Sequence, residues 1–253
     1  MVTVVGCSGS LPGPSSPASC YLVEALDADG RTWRVVLDLG NGSLGALQRY
    51  VDPTTLDAVL LSHLHPDHCL DVCGLFVLLK YAPGPARHTT LPVWGPAGTA
   101  DRMTQAYGPS PGMSDQLDFG TLEDGVQLLV GPLAITQMRV EHPVEAFGLR
   151  VEHDGRVLAY TGDTDSCEAL KTLCHNASLV LADCAFVDGR DTAEGVHLSG
   201  RRAAEAAVEA GGVERLVLTH LPPWNDPAVC LAQARAVWPG PLEVTTAGAT
   251  YDV

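Results

Sequence analysis

The sequence predicts an α/β fold within one domain that spans residues 1–253. Short apolar segments rich in β-branched residues alternate with segments of helical periodicity along the whole chain. No internal repeat, low-complexity tail or change of composition marks a boundary between domains. Hydrophobic residues make up 46% of the chain, which is enough for one core of this size.

The strands are expected where short runs of β-branched and apolar residues occur, at 2–5, 19–24, 33–39, 58–61, 92–94, 126–130, 134–141, 147–152, 157–160, 179–182, 215–218 and 242–244. The helices are expected where the periodicity is helical, at 43–50, 68–80, 98–107, 167–173, 198–210 and 227–237. Asp154-Gly155 predicts a tight hairpin turn between two strands, and the Pro- and Gly-rich segments 11–17 and 81–92 predict surface loops.

The chain carries 30 Asp and Glu residues against 15 Lys and Arg residues, for a formal net charge of -15. This balance argues against nucleic acid as a partner, because affinity for polyphosphate comes mainly from clustered Lys and Arg. Only 6% of the residues are aromatic, which also disfavours a stacking platform for single-stranded bases. No segment approaches the ~18 apolar residues of a membrane span and no signal peptide is evident, so a cytoplasmic protein without membrane contact is expected.

The eight cysteines are scattered and form no Cys-x-x-Cys pair. A chain of this length needs no disulfide framework, so most of them are expected to be buried free thiols in a reducing compartment. Cys69 follows His68, which leaves a metal-ligand role open for it. The buried thiol is favoured, because no second cysteine stands at a zinc-site spacing.

The segment His63-Leu64-His65-Pro66-Asp67-His68 follows an apolar strand and carries the strongest chemical signal in the chain. Three imidazoles and a carboxylate within six residues form the ligand set that zinc and similar divalent ions prefer. A single buried histidine is usually a satisfied core residue. Three buried together without a metal would leave too many donors and acceptors unpaired, so this segment predicts a metal site.

Further ligands are expected at the ends of later strands. His142, Asp163 and His220 each follow the C-terminal end of a predicted strand, where open α/β sheets place their sites. His197 stands in a similar position between the last two. The remaining histidines stand in polar or loop contexts and are expected to be ordinary surface residues: His88, His153 and His175.

In that order, these residues resemble the ligand motif of the metallo-β-lactamase superfamily of dinuclear metallohydrolases, over essentially the whole chain. The resemblance implies a four-layer αβ/βα sandwich, in which two mixed β-sheets face each other and are flanked by helices. It implies a first metal ion on His63, His65 and His142, a second on Asp67, His68 and His220, and a bridging Asp163. The ions would be zinc, or manganese or iron, which the same ligands accept. Class B β-lactamases of the best-known type have Cys in place of Asp163, which disfavours lactamase activity.

Gly195-Val196-His197-Leu198-Ser199-Gly200 resembles the His-Ser-Thr element of the tRNase Z branch, in which the histidine faces the scissile phosphate. Residues 181–186 are similar to that branch's His-Glu-Ala-Thr segment, with Asp183 in the acidic position. A carboxylate beside His197 would fix its tautomer and raise its basicity. The catalytic candidates are therefore Asp67, which would orient the attacking hydroxide, His197 and Asp183. A surface position beside a helix is the alternative for His197.

The chain departs from tRNase Z in ways that favour a small substrate. The basic Pro-x-Lys-x-Arg-Asn element of that branch is replaced by Pro12-Gly13-Pro14-Ser15-Ser16-Pro17, which carries no positive charge. His142 and Asp163 lie only 21 positions apart, which leaves no room for the tRNA-grasping arm of the bacterial enzymes. Together with the acidic balance, these departures indicate a small phosphodiester rather than tRNA.

This combination is similar to the atypical class II cyclic-nucleotide phosphodiesterases of actinobacteria, through the segments 5–10, 16–19, 44–49, 65–71, 147–150, 197–200 and 218–224. The resemblance implies hydrolysis of a cAMP-type 3′,5′-phosphodiester to the 5′-nucleotide by a homodimer. Ser8, Ser10 and Ser19 are expected to line the mouth near the substrate, with a plain loop role as the alternative. Asp38 and Asp71 are candidates to accept N–H bonds from ligating histidines, and turn capping is the alternative for Asp38.

Three other functions are weighed against this one. A tRNA 3′-processing endonuclease is opposed by the missing basic loop and arm. A lactone or thioester hydrolase of the same superfamily fits the ligands but leaves the His197 element unexplained. A non-catalytic metal or nucleotide sensor is disfavoured because all seven ligand positions are filled.

Overall fold

The computed structural model describes residues 1–84, 89–108 and 112–253. The strands in that part of the chain are β1 (Val2–Gly6), β2 (Cys20–Leu26), β3 (Thr32–Leu37), β4 (Ala58–Leu60), β5 (Leu91–Gly95), β6 (Leu117–Thr121), β7 (Gln127–Val130), β8 (Leu133–Arg139), β9 (Phe147–His153), β10 (Arg156–Tyr160), β11 (Leu179–Asp183), β12 (Leu216–Thr219), β13 (Leu242–Val244) and β14 (Thr250–Tyr251). The helices are α1 (Ser43–Leu47), α2 (Pro66–Cys69), α3 (Val72–Tyr81), α4 (Thr99–Tyr107), α5 (Ala169–Cys174), α6 (Gly200–Ala210) and α7 (Pro227–Arg235), with a 3-10 helix at Pro53–Thr55. None of the described helices is long and apolar enough to cross a lipid bilayer.

The strands form two mixed sheets of seven strands each. The first sheet has the order β14-β1-β2-β3-β4-β5-β6, antiparallel from β14 to β3 and parallel from there on. The second has the order β13-β12-β11-β10-β9-β8-β7, parallel from β13 to β10 and antiparallel to the end. The central parallel strands β4, β11 and β12 are buried along their whole length, because both faces of the sheet are covered there.

Side chains alternate between an inner and an outer core along the central strands. In β3, Val35 and Leu37 pack between the two sheets, whereas Val36 packs outward against the helices of the first sheet. The outer face of the second sheet packs against the alanine-rich face of α6, which includes Ala203 and Ala207. The layers are therefore helix, sheet, sheet, helix, and the predicted four-layer αβ/βα sandwich with two mixed sheets is confirmed.

The loops that carry the predicted ligands all leave the sheets at one edge. Strands β1, β3 and β4 run in the same direction in the first sheet, as do β8, β10, β11 and β12 in the second. Hydrogen bonds join the two sets of loops: the Phe147 amide donates to the Ser62 carbonyl at 2.9 Å, and the Gly9 amide donates to the Leu221 carbonyl at 3.1 Å. The C-terminal ends of these strands, in both sheets, therefore lie at one shared cleft.

Two expectations about the elements were wrong or incomplete, and a third is only partly tested. Strands β6 and β14 were not predicted. The helix expected at 68–80 is divided into α2 and α3, because the backbone between them bonds elsewhere: the Leu39 amide donates to the His68 carbonyl, and the Asp71 amide donates to the Leu39 carbonyl. In the loop expected at 81–92, residues 85–88 lie outside the described part of the chain, and His88 is among them.

Gly40 marks the closest approach between the first sheet and the segment of predicted ligands. A Cβ atom built on Gly40 would lie 1.9 Å from the Asp67 carbonyl oxygen. This oxygen belongs to the backbone, so no side-chain rotation can relieve the clash. Gly45 in α1 is a matched control, because a Cβ there meets nothing within 4 Å.

We expect Gly40→Ala to lower the free energy of unfolding by ~1–3 kcal/mol or more, because the extra methyl must push the Asp67 loop aside. Gly45→Ala should be neutral or stabilising by up to ~1 kcal/mol, since alanine is the better helix former. Urea unfolding of both variants measures the difference. Equal stabilities would show that the Gly40 contact relaxes without cost.

Candidate metal centre

Three histidines from two sheets converge on one point at the shared cleft. His63 and His65 follow β4, and His142 follows β8. His65 Nδ1 lies 3.0 Å from His63 Nε2 and 3.2 Å from His142 Nε2. Three ring nitrogens at this spacing can share one divalent cation. We call this set the first cluster.

A second cluster of Asp67, His68, Asp163 and His220 lies beside the first and is buried throughout. Asp163 Oδ1 lies 3.2 Å from His68 Nε2 and 3.1 Å from His220 Nδ1. Asp67 Oδ2 lies 3.5 Å from His68 Nε2 and 3.7 Å from His220 Nε2. The other oxygen of Asp163 faces the first cluster, 3.7 Å from His63 Nε2. Asp163 therefore stands between the two clusters, in the place of a bridging ligand.

Two orphaned atoms test whether these residues fit a metal. His68 Nε2 and Asp163 Oδ1 lie 3.2 Å apart, but not in hydrogen-bonding geometry, so neither buried atom has a hydrogen-bond partner within the described residues. A buried polar atom left unpaired costs about 1–3 kcal/mol, and both of these atoms face the interior of the second cluster. A cation coordinated by both atoms would remove that cost, and imidazole and carboxylate are donors that zinc, manganese and iron accept. The residues present fit two divalent metals.

The protonation states of the first cluster also suit metal binding. Burial lowers the pKa of His63 well below its ordinary value and lowers the pKa values of His65 and His142 as well. These imidazoles are therefore neutral near pH 7 and offer a lone pair. Burial also acts to lower the pKa of His68, but the carboxylates of Asp163 and Asp38 outweigh it, so that pKa lies well above the ordinary value.

Asp38 supports the second cluster from behind. This buried carboxylate accepts hydrogen bonds from four donors: the Ser62 amide at 2.6 Å, the Ser62 hydroxyl at 2.8 Å, His68 Nδ1 at 2.7 Å and the Tyr160 hydroxyl at 2.6 Å. The bond to Nδ1 leaves Nε2 of His68 free to face the cluster, which is the arrangement that orients a metal-binding histidine. Of the two roles considered for Asp38, the structure shows this one.

Backbone strain concentrates at the same place. Asp38, His220 and Ser10 have φ values of 59°, 58° and 63°, in the left-handed region that non-glycine residues seldom adopt. Asp154 and Asn176, the other such residues in the described chain, lie in exposed turns, where Asp and Asn tolerate this region. Strain that persists around a candidate site indicates that the surrounding structure holds these residues in place.

His197 lies beside both clusters and is held by Asp183. His197 Nδ1 lies 2.9 Å from Asp183 Oδ2, and the His197 ring centroid lies 5.4 Å from that of His142 and 5.5 Å from that of His220. Burial alone would lower the pKa of His197, but the Asp183 carboxylate raises it to about 9. With Nδ1 engaged, Nε2 is the nitrogen left to contact a substrate.

The three serines expected near the substrate take different positions. The Ser19 hydroxyl is buried 3.2 Å from His220 Nδ1, so it supports a ligand instead. The Ser8 hydroxyl donates to the Leu11 carbonyl at 2.7 Å, which is the loop role that was the alternative. Ser10 is exposed and lines the cavity at the clusters, and its amide donates to His220 Nε2 at 3.3 Å.

Asp71 accepts from no histidine among the described residues. Its carboxylate accepts the Leu44 amide at 2.8 Å at the start of α1, so the expectation that it supports a ligating histidine was wrong. Cys69 is fully buried in the outer core of the first sheet, where burial raises the pKa of its thiol to about 12. It belongs to no ligand cluster in the described part of the chain. His153 and His175 also lie outside the clusters.

Two polar residues beside the site were missed. Tyr160 and Ser62 donate to Asp38 and complete its set of partners. Both directly adjoin predicted motifs, since Ser62 precedes His63 and Tyr160 precedes Thr161-Gly162-Asp163. A hydroxyl at the end of an otherwise apolar strand is the signal that could have found them.

The clusters open into a cavity of about 260 Å³. It is lined by residues of both clusters and by His197. A larger groove of about 950 Å³ lies elsewhere, beside Met1, Asp27 and His153. No His, Cys, Asp or Glu cluster of metal-binding geometry lines that groove within the described residues. The smaller cavity is therefore the candidate functional site.

The sandwich and its edge site together are typical of metal-dependent hydrolases, and comparison with known proteins agrees. The Beta-lactamase superfamily domain matches residues 34–221. An uncharacterised protein of Mycobacterium leprae is 42% identical over 100% of this chain and 88% of its own length. The crystal structure of the metallo-β-lactamase fold protein YhfI of Bacillus subtilis has a TM-score of 0.85 and 27% identity, covering 99% of this chain and 98% of that chain. Ribonuclease Z of Myxococcus xanthus is 27% identical over 87% of this chain and 88% of its own length.

The chain belongs to the β-lactamase superfamily and is a metallo-hydrolase related to RNase Z.

We expect Asp38→Asn to weaken metal binding by about 10–100-fold, because an amide nitrogen would face donors that the carboxylate now satisfies and His68 would lose its orientation. Asp71→Asn is the matched control and should bind metal like the wild type, since Asp71 caps α1. Competition with a zinc chelator, with metal counted by elemental analysis, measures both. Unchanged affinity in Asp38→Asn would contradict the orienting role.

Proposed function

We propose that this protein is a dinuclear metal-dependent phosphodiesterase that hydrolyses a small cyclic nucleotide of the cAMP type to the 5′-nucleotide. The observation that carries the proposal is the His197–Asp183 pair at 2.9 Å, set beside seven metal-type ligands. A carbon-ester hydrolase with the same ligands has no evident use for this pair. A relative named Ribonuclease Z supports phosphodiester chemistry.

The residues of the chain divide the reaction among them. Two divalent cations, which we propose are zinc, would be held by the first and second clusters, with Asp163 between them. Such cations, when bound, polarise the phosphoryl group and acidify a water molecule. Asp67 lies within the second cluster and orients that water, accepting a hydrogen bond from it. His197 contacts the phosphoryl oxygens or delivers a proton from Nε2 to the departing 3′-oxygen as the bond from phosphorus to that oxygen breaks. Asp183 holds Nδ1 and stabilises the charged imidazole.

A small substrate fits the cavity and the surrounding loops. The volume of about 260 Å³ is at the lower end for a ligand pocket, which suits one nucleotide better than a folded RNA. The chain between His142 and Asp163 is taken up by the hairpin of β9 and β10, so no arm extends from it. The loop at 9–17 carries no Lys or Arg. These features support a small-molecule phosphodiester as the partner and oppose nucleic acid.

We place this protein in the cytoplasm as a homodimer without membrane contact. Its eight cysteines are all free thiols, as expected of a reducing compartment. Analytical ultracentrifugation at micromolar concentration tests the dimer.

A tRNA 3′-processing endonuclease is the second candidate, and the RNase Z relatives favour it. Incubation of the zinc- or manganese-loaded protein with cAMP, cGMP, precursor tRNA and a lactone separates the possibilities. We expect turnover of a cyclic nucleotide and none of precursor tRNA. Cleavage of precursor tRNA at a higher rate would overturn the proposal in favour of the second candidate, and lactone hydrolysis alone would overturn both.

We expect His197→Ala to keep two metals by elemental analysis but to hydrolyse bis(p-nitrophenyl) phosphate ~10²–10⁴-fold more slowly, because the phosphate contact or proton donor is lost. Asp163→Ala should lose metal and activity together, since it removes the carboxylate whose two oxygens face the two clusters. His175→Ala is the control: its Nδ1 bonds the Ala210 carbonyl at 2.7 Å, away from the site, and its turnover should equal the wild type. A wild-type rate in His197→Ala would exclude its role.

A further inference from the structure

The segment Gly195–His197, which we call the bridging segment, touches a metal-type ligand as well as carrying the proposed proton donor. The Val196 carbonyl accepts a hydrogen bond from His142 Nδ1 at 2.8 Å. This bond fixes the tautomer of His142 and leaves Nε2 to face the first cluster. The next residue is His197. Any shift of this segment therefore moves a ligand's orienting partner and the catalytic imidazole together.

Asp165 links the bridging segment to the loop after β8, which carries His142. Asp165 is 8% exposed, and its Oδ2 accepts the Gly195 amide at 2.8 Å. Its own amide donates to the Glu141 carbonyl at 2.8 Å, one residue before His142. Gly195 has a φ of 70°, a conformation that a side chain would strain, so the amide it offers to Asp165 depends on glycine at this position.

Arg202 of α6 holds the other oxygen of Asp165. The guanidinium pairs with Asp165 Oδ1, which also accepts the Ser166 amide at 2.7 Å. The same arginine lies over the Phe186 ring at 5.9 Å, and Phe186 in turn packs edge-on against the His197 ring at 5.1 Å. Asp165 therefore contacts the bridging segment directly at Gly195, whereas Arg202 reaches it through Asp165 and Phe186. Neither Asp165 nor Arg202 belongs to a ligand cluster within the described residues.

We propose that Asp165, locked by Arg202, is a positioning residue that sets the orientation of His142 and the place of His197 through the bridging segment. It acts through these two histidines and does not touch the substrate. A merely structural ion pair would alter stability alone. The positioning role instead predicts a loss of metal affinity, through His142, and a loss of turnover that depends on the presence of His197.

The first test measures metal and needs no substrate. We expect Asp165→Ala to bind zinc about tenfold or more weakly in chelator competition, because the Val196 carbonyl no longer fixes His142. Asp165→Asn keeps an oxygen for the Gly195 amide and should recover most of that loss. Circular dichroism and the melting temperature identify any variant that fails to fold. If Asp165→Ala fails, Asp165→Ser takes its place, because its shorter side chain withdraws the oxygen from the Gly195 amide. Wild-type zinc affinity in a folded Asp165→Ala protein would overturn the proposal.

The second test is a double-mutant cycle with His197, and it rests on the proposed phosphodiesterase function. With zinc saturating and bis(p-nitrophenyl) phosphate as the probe, we expect Asp165→Ala to lower kcat by about 10²-fold with little change in KM, the cost of a misplaced catalytic group. In the His197→Ala background the same change should cost less than twofold in kcat. Additive losses would overturn the link to His197.

The two tests separate the proposals. If the wild type does not hydrolyse the probe, the proposed function has failed, but zinc affinity still decides whether Asp165 positions His142. Arg202→Met tests the lock: it leaves the Asp165–Gly195 bond in place and should give losses smaller than those of Asp165→Ala in both measurements. Losses larger than those of Asp165→Ala would show that Arg202 acts by another route and would overturn its role as the lock.

Discussion

The buried carboxylate of Asp163 is the group on which the site depends. It is 2% exposed, and ring nitrogens of His63, His68 and His220 lie within 4 Å of its oxygens. Burial acts to raise the pKa of this carboxyl, but these histidines more than offset it and hold the pKa well below the ordinary value. An ionised carboxylate in such a place requires positive partners, because burying a lone charge is costly. Metal binding and the folding of this edge are therefore linked.

The two sheets contribute to this edge in different ways, which explains what could be predicted. The first sheet supplies one contiguous segment after β4, so the spacing of His63, His65 and His68 alone predicts a metal site. The second sheet supplies one ligand from each of several strands, and those ligands could be placed only because the ends of parallel strands meet at one edge. The apolar runs predicted most of the strands and the α/β class, whereas the four-layer sandwich was implied by the resemblance to the superfamily.

What the sequence did not predict depends on contacts between distant residues. Asp38 and Asp71 looked alike, yet one accepts from His68 and the other caps α1, because the backbone after α2 bonds to Leu39 rather than continuing as a helix. Strand β6 contains Asp118 and Gly120 at the edge of its sheet, where propensity is weak and only pairing with β5 defines it. The Asp165–Arg202 pair spans 37 positions, and no local pattern connects its members.

The acidic character of the chain and a phosphate-bearing substrate are compatible because electrostatic attraction is local. Two divalent cations, if bound as proposed, would bring four positive charges against the carboxylates of Asp67 and Asp163, and the cavity would become positive although the chain carries -15. Screening confines this field to about 8 Å at physiological ionic strength. One small phosphodiester lies wholly within that distance. A long polyanion would place most of its phosphates beyond it, against an acidic surface that repels them. Under the proposed function, the net charge would therefore select substrates by size rather than exclude phosphate.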